Sequence, residues 1–201
     1  MGALPRTPPP THSRRGLAAA IAIFTLTVSQ LAIATFVTGL SHFEGKGFGA
    51  RLVAYPVLMA AVPAWWLLLR WRRGDQSDVP WWAFSLLMAP FLVDVTGNSL
   101  NLYDTLPWWD DANHFVNWLL LCSGFGLLLT RMVSTSRWLL VVAITGLGAL
   151  LAIGWELGEW YTFIRQGTEL DTAYQDTLGD EALGTAGGLV AALLVTARRR
   201  T

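Results

Sequence analysis

Residues 154–180 read GWELGEWYTFIRQGTELDTAYQDTLGD, and the fold depends on where this stretch sits. An apolar run beginning near Trp138 leads into it, and another begins at Asp180. Glu156 and Glu159 stand at i and i+3, so on a helix they share a face. Asp176 and Asp180 follow past a polar loop. An ionised acid near lipid costs a few kcal/mol unless it is paired or faces water. The stretch therefore reads as the mouths of two membrane helices, opening together on one side of a bilayer.

The composition agrees. The chain has 201 residues, 53% of them hydrophobic and only 14% charged, against roughly 25% charged in soluble domains. One domain of this size cannot bury that much apolar surface from water. Cys122 is the only cysteine, which excludes a disulfide framework and a cysteine-based zinc site. It falls mid-helix and reads as packing.

Working outward, six apolar runs have the length that a hydrocarbon core about 30 Å thick requires. They lie at residues 17–40, 50–69, 80–103, 112–130, 137–161 and 180–197. This predicts an all-α polytopic bundle of six transmembrane helices over 17–197. A disordered Pro- and Thr-rich tail (1–16) precedes it, and a basic end (198–201) follows. The first run could be a cleaved signal, since Ser13-Arg14-Arg15 and Ala32-Ile33-Ala34 faintly fit one. At about 24 residues it exceeds a signal's apolar region, so it reads as a retained helix. All of the Arg and Lys except Lys46, Arg51 and Arg165 fall on the side of the two termini. The positive-inside rule then puts both termini in the cytoplasm. All of the acids except Asp75 and Asp78 fall toward the other side. The basic clusters are membrane-rim features, and no nucleic-acid site is expected.

Asp94, Asn98 and Asn101 form one stripe of the third run. Asp94 lies roughly 21 Å from the cytoplasmic entry, the deepest ionisable group. The stripe reads equally as interhelical packing or as a cavity floor. Asp104 closes that run. Asp110, His114 and Asn117 share a face of the fourth run, with Asp111 beside them; a histidine in acidic company suits metal binding or proton transfer. A plainer account of Glu156 and Glu159 is a solvated helix end paired with Arg51 or Arg165. Asp180 alone reads as a helix cap, while Tyr174 and Asp176 are better site candidates. Gly154/Gly158 and Gly184/Gly188 have the small-xxx-small spacing that lets helices approach.

Together these residues predict an acidic, outward-facing cavity. It would be lined by Asp94, Asn98, Asn101, Asp104, Asp110, Asp111, Asn117, Tyr174 and Asp180. His114, Glu156, Glu159 and Asp176 are the catalytic candidates, and Asp111, His114, Glu156 and Asp176 the candidate ligands of a divalent cation. No established catalytic signature is present.

Asp94-x-x-x-Asn98, Asn101-Leu-Tyr-Asp104, Asp111-Ala-Asn-His114-Phe115, Trp155-Glu156-x-x-Glu159-Trp160 and Tyr174-x-Asp176-Thr-Leu-x-Asp180 occur together here. In this combination the chain resembles the bacterial YjdF-type inner-membrane family, over roughly residues 50–197. The resemblance implies a multi-pass bacterial membrane protein and supplies no reaction, cofactor or catalytic residue. Three classes of function stay open. One is a metal-assisted enzyme on a lipid or isoprenoid headgroup, one a non-catalytic scaffold or assembly protein, and one a small proton- or cation-coupled transporter. Membrane lipids are the expected partners.

Overall fold

The computed structural model describes residues 11–37, 39–162, 164–166 and 172–197. Residues 1–10 and 198–201, which hold most of the expected tail and the basic end, lie outside them. Seven α-helices carry the described chain: α1 Thr11–Phe36, α2 Phe48–Arg73, α3 Trp81–Ser99, α4 Leu102–Thr105, α5 Trp109–Met132, α6 Arg137–Thr162 and α7 Ala173–Ala197. No strand occurs among the described residues. Five of the helices (α1, α2, α5, α6 and α7) are long and apolar enough to cross a membrane. The third expected span, α3, is 19 residues long and is not among those five, because Asp94, Thr96 and Asn98 lower its hydropathy.

The helix ends follow local chemistry. Once Pro8-Pro9-Pro10 is passed nothing interrupts a helix, so α1 starts at Thr11 instead of 17. Gly47 and Gly74, at φ 63° and 62°, bound α2 in the left-handed conformation that glycine adopts without strain. The third run breaks early, at Asn101 with φ 59°. Asparagine tolerates that conformation better than most side chains, and the break folds α4 back toward α3. The last helix starts seven residues before Asp180, which is buried in its second turn and caps nothing. The expectation of a cap is thereby corrected: Ala173-Tyr174-Gln175 has no helix breaker, and the helix extends through it.

The six long helices form two groups of three. In the first, α1 packs on α2 and α3 around Leu31, Met59, Met88 and Val95. In the second, α7 packs on α5 and α6 around Cys122, Ile144, Ala191 and Ala192. The groups meet where α3 packs on α5, through Phe84, Leu87 and Leu128. Gly187 makes the α5–α7 contact possible, since a Cβ there would come within 2.3 Å of the Phe115 carbonyl oxygen. Gly184 and Gly188 are likewise packed, against Trp118 and Cys122. Gly154 and Gly158 are different: a Cβ on either meets nothing within 4 Å. That pair therefore has no packing role, correcting the expectation from its spacing.

Gly187→Leu should break the α5–α7 seam, a clash with backbone that no side-chain rotation relieves. Overpacking costs typically 1–3 kcal/mol or more, so the purified variant should melt clearly below wild type. Gly146→Leu, where a Cβ meets nothing, should melt with wild type.

Candidate functional site

Asp94 comes from the stretch of α3 that lies against α2. Its Oδ2 accepts from Arg51 Nη1 at 2.8 Å and from the Tyr55 hydroxyl at 2.5 Å. Its Oδ1 accepts from Tyr103 at 3.0 Å and from Asn98 Nδ2 at 3.1 Å. Arg51 and Tyr55 stand one turn apart on α2, so both reach the same carboxylate. Tyr103 reaches it because of the turn at Asn101, and Gly97 leaves room: a Cβ there would sit 2.9 Å from the Tyr103 ring. Burial and the adjoining Asp94 carboxylate push the Tyr103 hydroxyl above the ordinary phenol range, keeping it a donor. Tyr103 in turn accepts from Asn113 of α5, and Asn117 Nδ2 donates to Asn113 Oδ1 at 2.8 Å. A chain of hydrogen bonds thus runs from α2 through α3 to α5. Above it, Lys46 bonds Asp104 at 2.8 Å and Asn101 Oδ1 at 2.5 Å, pinning the α1–α2 connection onto α4.

The second cluster centres on His114 of α5, which is buried. Its Nε2 lies 3.7 Å from Asp110 Oδ1 and 3.7 Å from Asp180 Oδ1. Its Nδ1 lies 3.8 Å from Glu156 Oε1. Asp110, His114 and Asp180 form one group whose ligand atoms lie within 4.8 Å of one another, and His114, Glu156 and Glu159 form another. Asp180 and Glu156 are 3% and 5% exposed. Thr177 is within hydrogen-bonding reach of the Glu156 carboxyl, yet Glu156 Oε1 is buried with no hydrogen-bond partner. Two ligand atoms bound to one ion at about 2.1 Å each stand roughly 3–3.5 Å apart. Small side-chain rotations would bring either group to that spacing.

Both clusters border one cavity of about 530 Å³. Arg51, Asp94, Asn98, Asp104, Asp110, His114, Asn117, Glu159 and Asp176 line it, together with Lys46, Tyr55, Tyr103 and Asn113. Its floor is apolar, from Pro90, Phe91 and Leu121. Asp111 lies elsewhere, in a shallow depression with Thr172, Gln175 and Asp176. Asn101 bonds the lining residues Lys46 and Asn98 without lining the cavity itself, and Tyr174 is 82% exposed. Neither arginine proposed as a partner of the glutamates pairs with them: Arg51 bonds Asp94, and Arg165 stacks 3.7 Å over the Tyr161 ring.

Sequence reasoning left out Tyr55, Tyr103 and Asn113. Tyr55 carried a usable signal, as a hydroxyl four residues after an arginine inside an otherwise apolar run. Asn113 lies within the Asp111–His114 motif, on the α3 side of α5.

Long apolar helices enclosing a polar interior define a multi-pass helical membrane protein. The chain belongs to the family described as "Predicted membrane protein (DUF2238)", whose defining pattern matches residues 22–201. The YjdF-type proteins that the motifs resemble are members of that family. No curated protein and no solved structure matches the chain.

Removing one partner of a buried ion pair strands the other and costs about 3–5 kcal/mol. Asp94→Ala should therefore melt well below wild type, and Arg51→Met/Asp94→Leu should recover much of the loss. Tyr103→Phe, which loses the hydrogen bond to Asp94 and the one from Asn113, should cost about 1–3 kcal/mol. Thermal unfolding in detergent measures all three.

Proposed function

We propose that the chain crosses a bacterial inner membrane six times, both ends cytoplasmic, with the cavity open on the extracytoplasmic side. There His114 and its carboxylates hold a divalent cation, and the cavity carries metal-assisted hydrolysis or group transfer at the headgroup of a lipid or isoprenoid substrate. Support for the sixth span comes from α3 itself. It runs alongside α1 over its length, from Ser85 bonded to the Gly16 carbonyl up to Thr96 bonded to Gln30. Its 19 residues rise about 29 Å, near the thickness to be crossed. Asp94 is neutralised by Arg51, which removes most of the penalty for an acid inside lipid. The distribution of Arg and Lys supports the orientation.

One observation carries the metal reading: both nitrogens of a buried histidine face carboxylates from three helices, and Glu156 Oε1 has no donor. Glu156, Glu159 and Asp180 have no lysine or arginine among their described ion pairs, which leaves an excess of negative charge that a cation would balance. Carboxylates with one imidazole suit magnesium, manganese, ferrous iron or zinc. Glu159, at the cavity surface, is placed to accept a proton as general base. Asp176, on the same wall, is a second candidate for that role.

A scaffold reading draws on the Asp94 network, whose bonds are all satisfied within the protein and need no ligand. Transport is disfavoured by what lies beneath the site. A Cβ on Gly148 would sit 2.8 Å from Cys122 Sγ and 3.3 Å from the Gly188 backbone, so α5, α6 and α7 close tightly there.

Elemental analysis of the purified protein should find about one divalent ion per chain. His114→Ala and Glu156→Ala should lose it while melting as folded proteins, and Asp111→Ala should keep it. Wild-type protein that stays metal-free after exposure to magnesium, manganese, iron and zinc would remove the metal-assisted reading. Orientation is checked separately in a Cys122→Ser background. Glu44→Cys should react with an impermeant maleimide on intact spheroplasts, and Asp75→Cys only after lysis; the reverse pattern rejects the topology.

A further inference from the structure

The cavity walls come from α2, α3, α5 and α6, but the ring of helices around it is not closed. Following the packed interfaces, the order is α2, α1, α3, α5, α7, α6. Among the described residues the two ends of that series, α2 and α6, share no extensive packed interface. In a membrane such a break cannot be left empty, so hydrocarbon must meet the polar cavity along it.

The helical wheel shows what borders the break. Successive residues advance about 100° around the axis. On α6, Ala152 and Glu156 point to α5 and α7 and are buried, while Glu159 and Trp155 face the cavity. Continuing in the same sense past Trp155, Gly158 and then Gly154 follow at about 60° and 100°. Both are exposed and have open space where a side chain would be. On α2, Met59 is buried and Tyr55 and Arg51 face the cavity, so Leu58 and Ala54 come next, both exposed. Beside the polar chamber there is thus a slot with two bare glycines on one wall and alanine and leucine on the other. Arg51 stands at its inner edge. Among the described residues only its Nη1 hydrogen-bonds, which leaves its remaining N–H groups available to an anion. Lys46 lies on the same wall.

We propose that the cavity takes a phosphate-bearing membrane lipid laterally, with the phosphate against Arg51 and the acyl chain lying in the slot between α2 and α6. This deepens the functional reading above by naming the substrate class and its route. It rests on the six-span arrangement and on the cation at His114, which offsets the carboxylates that line the same cavity.

The test uses full-length protein in phosphatidylcholine nanodiscs. The probes are phosphatidic acid and diacylglycerol, each with a diazirine on the acyl chain, and mapping is by mass spectrometry. Phosphatidic acid should label the α2 and α6 segments around Leu58 and Gly154 more strongly than diacylglycerol does. Gly158→Trp, at a position where a Cβ meets nothing among the described residues, fills the slot and should reduce that labelling roughly tenfold. Gly146→Trp, equally open at its Cβ but about 18 Å further along α6 from Gly158, should leave it unchanged. Metal content measured on the same Gly158→Trp sample should equal wild type, so a failed lipid site and a failed cation site give different results. Equal labelling by the two lipids, or labelling indifferent to Gly158→Trp, would overturn the proposal. Complete displacement of phosphatidic acid by millimolar inorganic phosphate would also overturn it, making free phosphate the ligand.

Discussion

A carboxylate placed inside a bilayer must have its charge answered from within the protein, and Asp94 meets that condition with four donors from three helices. Arg51 and Tyr55 come from α2, Asn98 from α3 itself, and Tyr103 from the short α4. The constraint extends further than these contacts. Tyr103 can reach Asp94 only if the backbone turns at Asn101, and that turn sets where α5 begins. Tyr103 then engages Asn113, so α5 is held to α3 by a polar link as well as by the apolar contact of Phe84 and Leu87 with Leu128. In lipid, where apolar burial distinguishes little between protein and solvent, such links carry much of the specificity of helix packing.

The two polar clusters are built on opposite principles. Around Asp94 every oxygen is occupied and a cation sits beside it, which is how a protein stabilises its own architecture. Around His114 the carboxylates face an imidazole at 3.7–3.8 Å, too far for hydrogen bonds, and one glutamate oxygen is left with no partner. A buried polar atom without a partner is uncommon in folded proteins. The excess of acid is confined to the three helices α5, α6 and α7, while the basic residues of the cavity come from α2 and the connection before it.

Much of this was legible in the sequence. Hydropathy and helix length located the long helices, and the i, i+4 spacing of Asp110 and His114 placed both on one face before any coordinates. The approach of Asp180 to His114 could not be read, since it depends on the rotation of α7 against α5, which Gly187 and Phe115 set. Nor could the role of Arg51: the sequence offered it as a partner of Glu156 and Glu159, and only its register with Asp94 shows whose counter-ion it is. The glycine pairs show the limit well. Gly184/Gly188 and Gly154/Gly158 have identical spacing, yet one is packed and the other bare, because spacing says a helix could be approached and not whether a neighbour is there.

The tight seam of Gly148, Cys122 and Gly188 under the cavity has an electrical consequence. On the six-span arrangement, a hydrated chamber conducts and a dry layer insulates, so most of the membrane voltage would fall below the seam. Charges at His114 would then sit close to the potential of the external medium. Moving one charge through the full field is worth about 2.3 kcal/mol per 100 mV, but ions exchanging with this chamber would cross little of it. Its occupancy would follow the composition of the surrounding fluid and stay largely indifferent to the energised state of the cell.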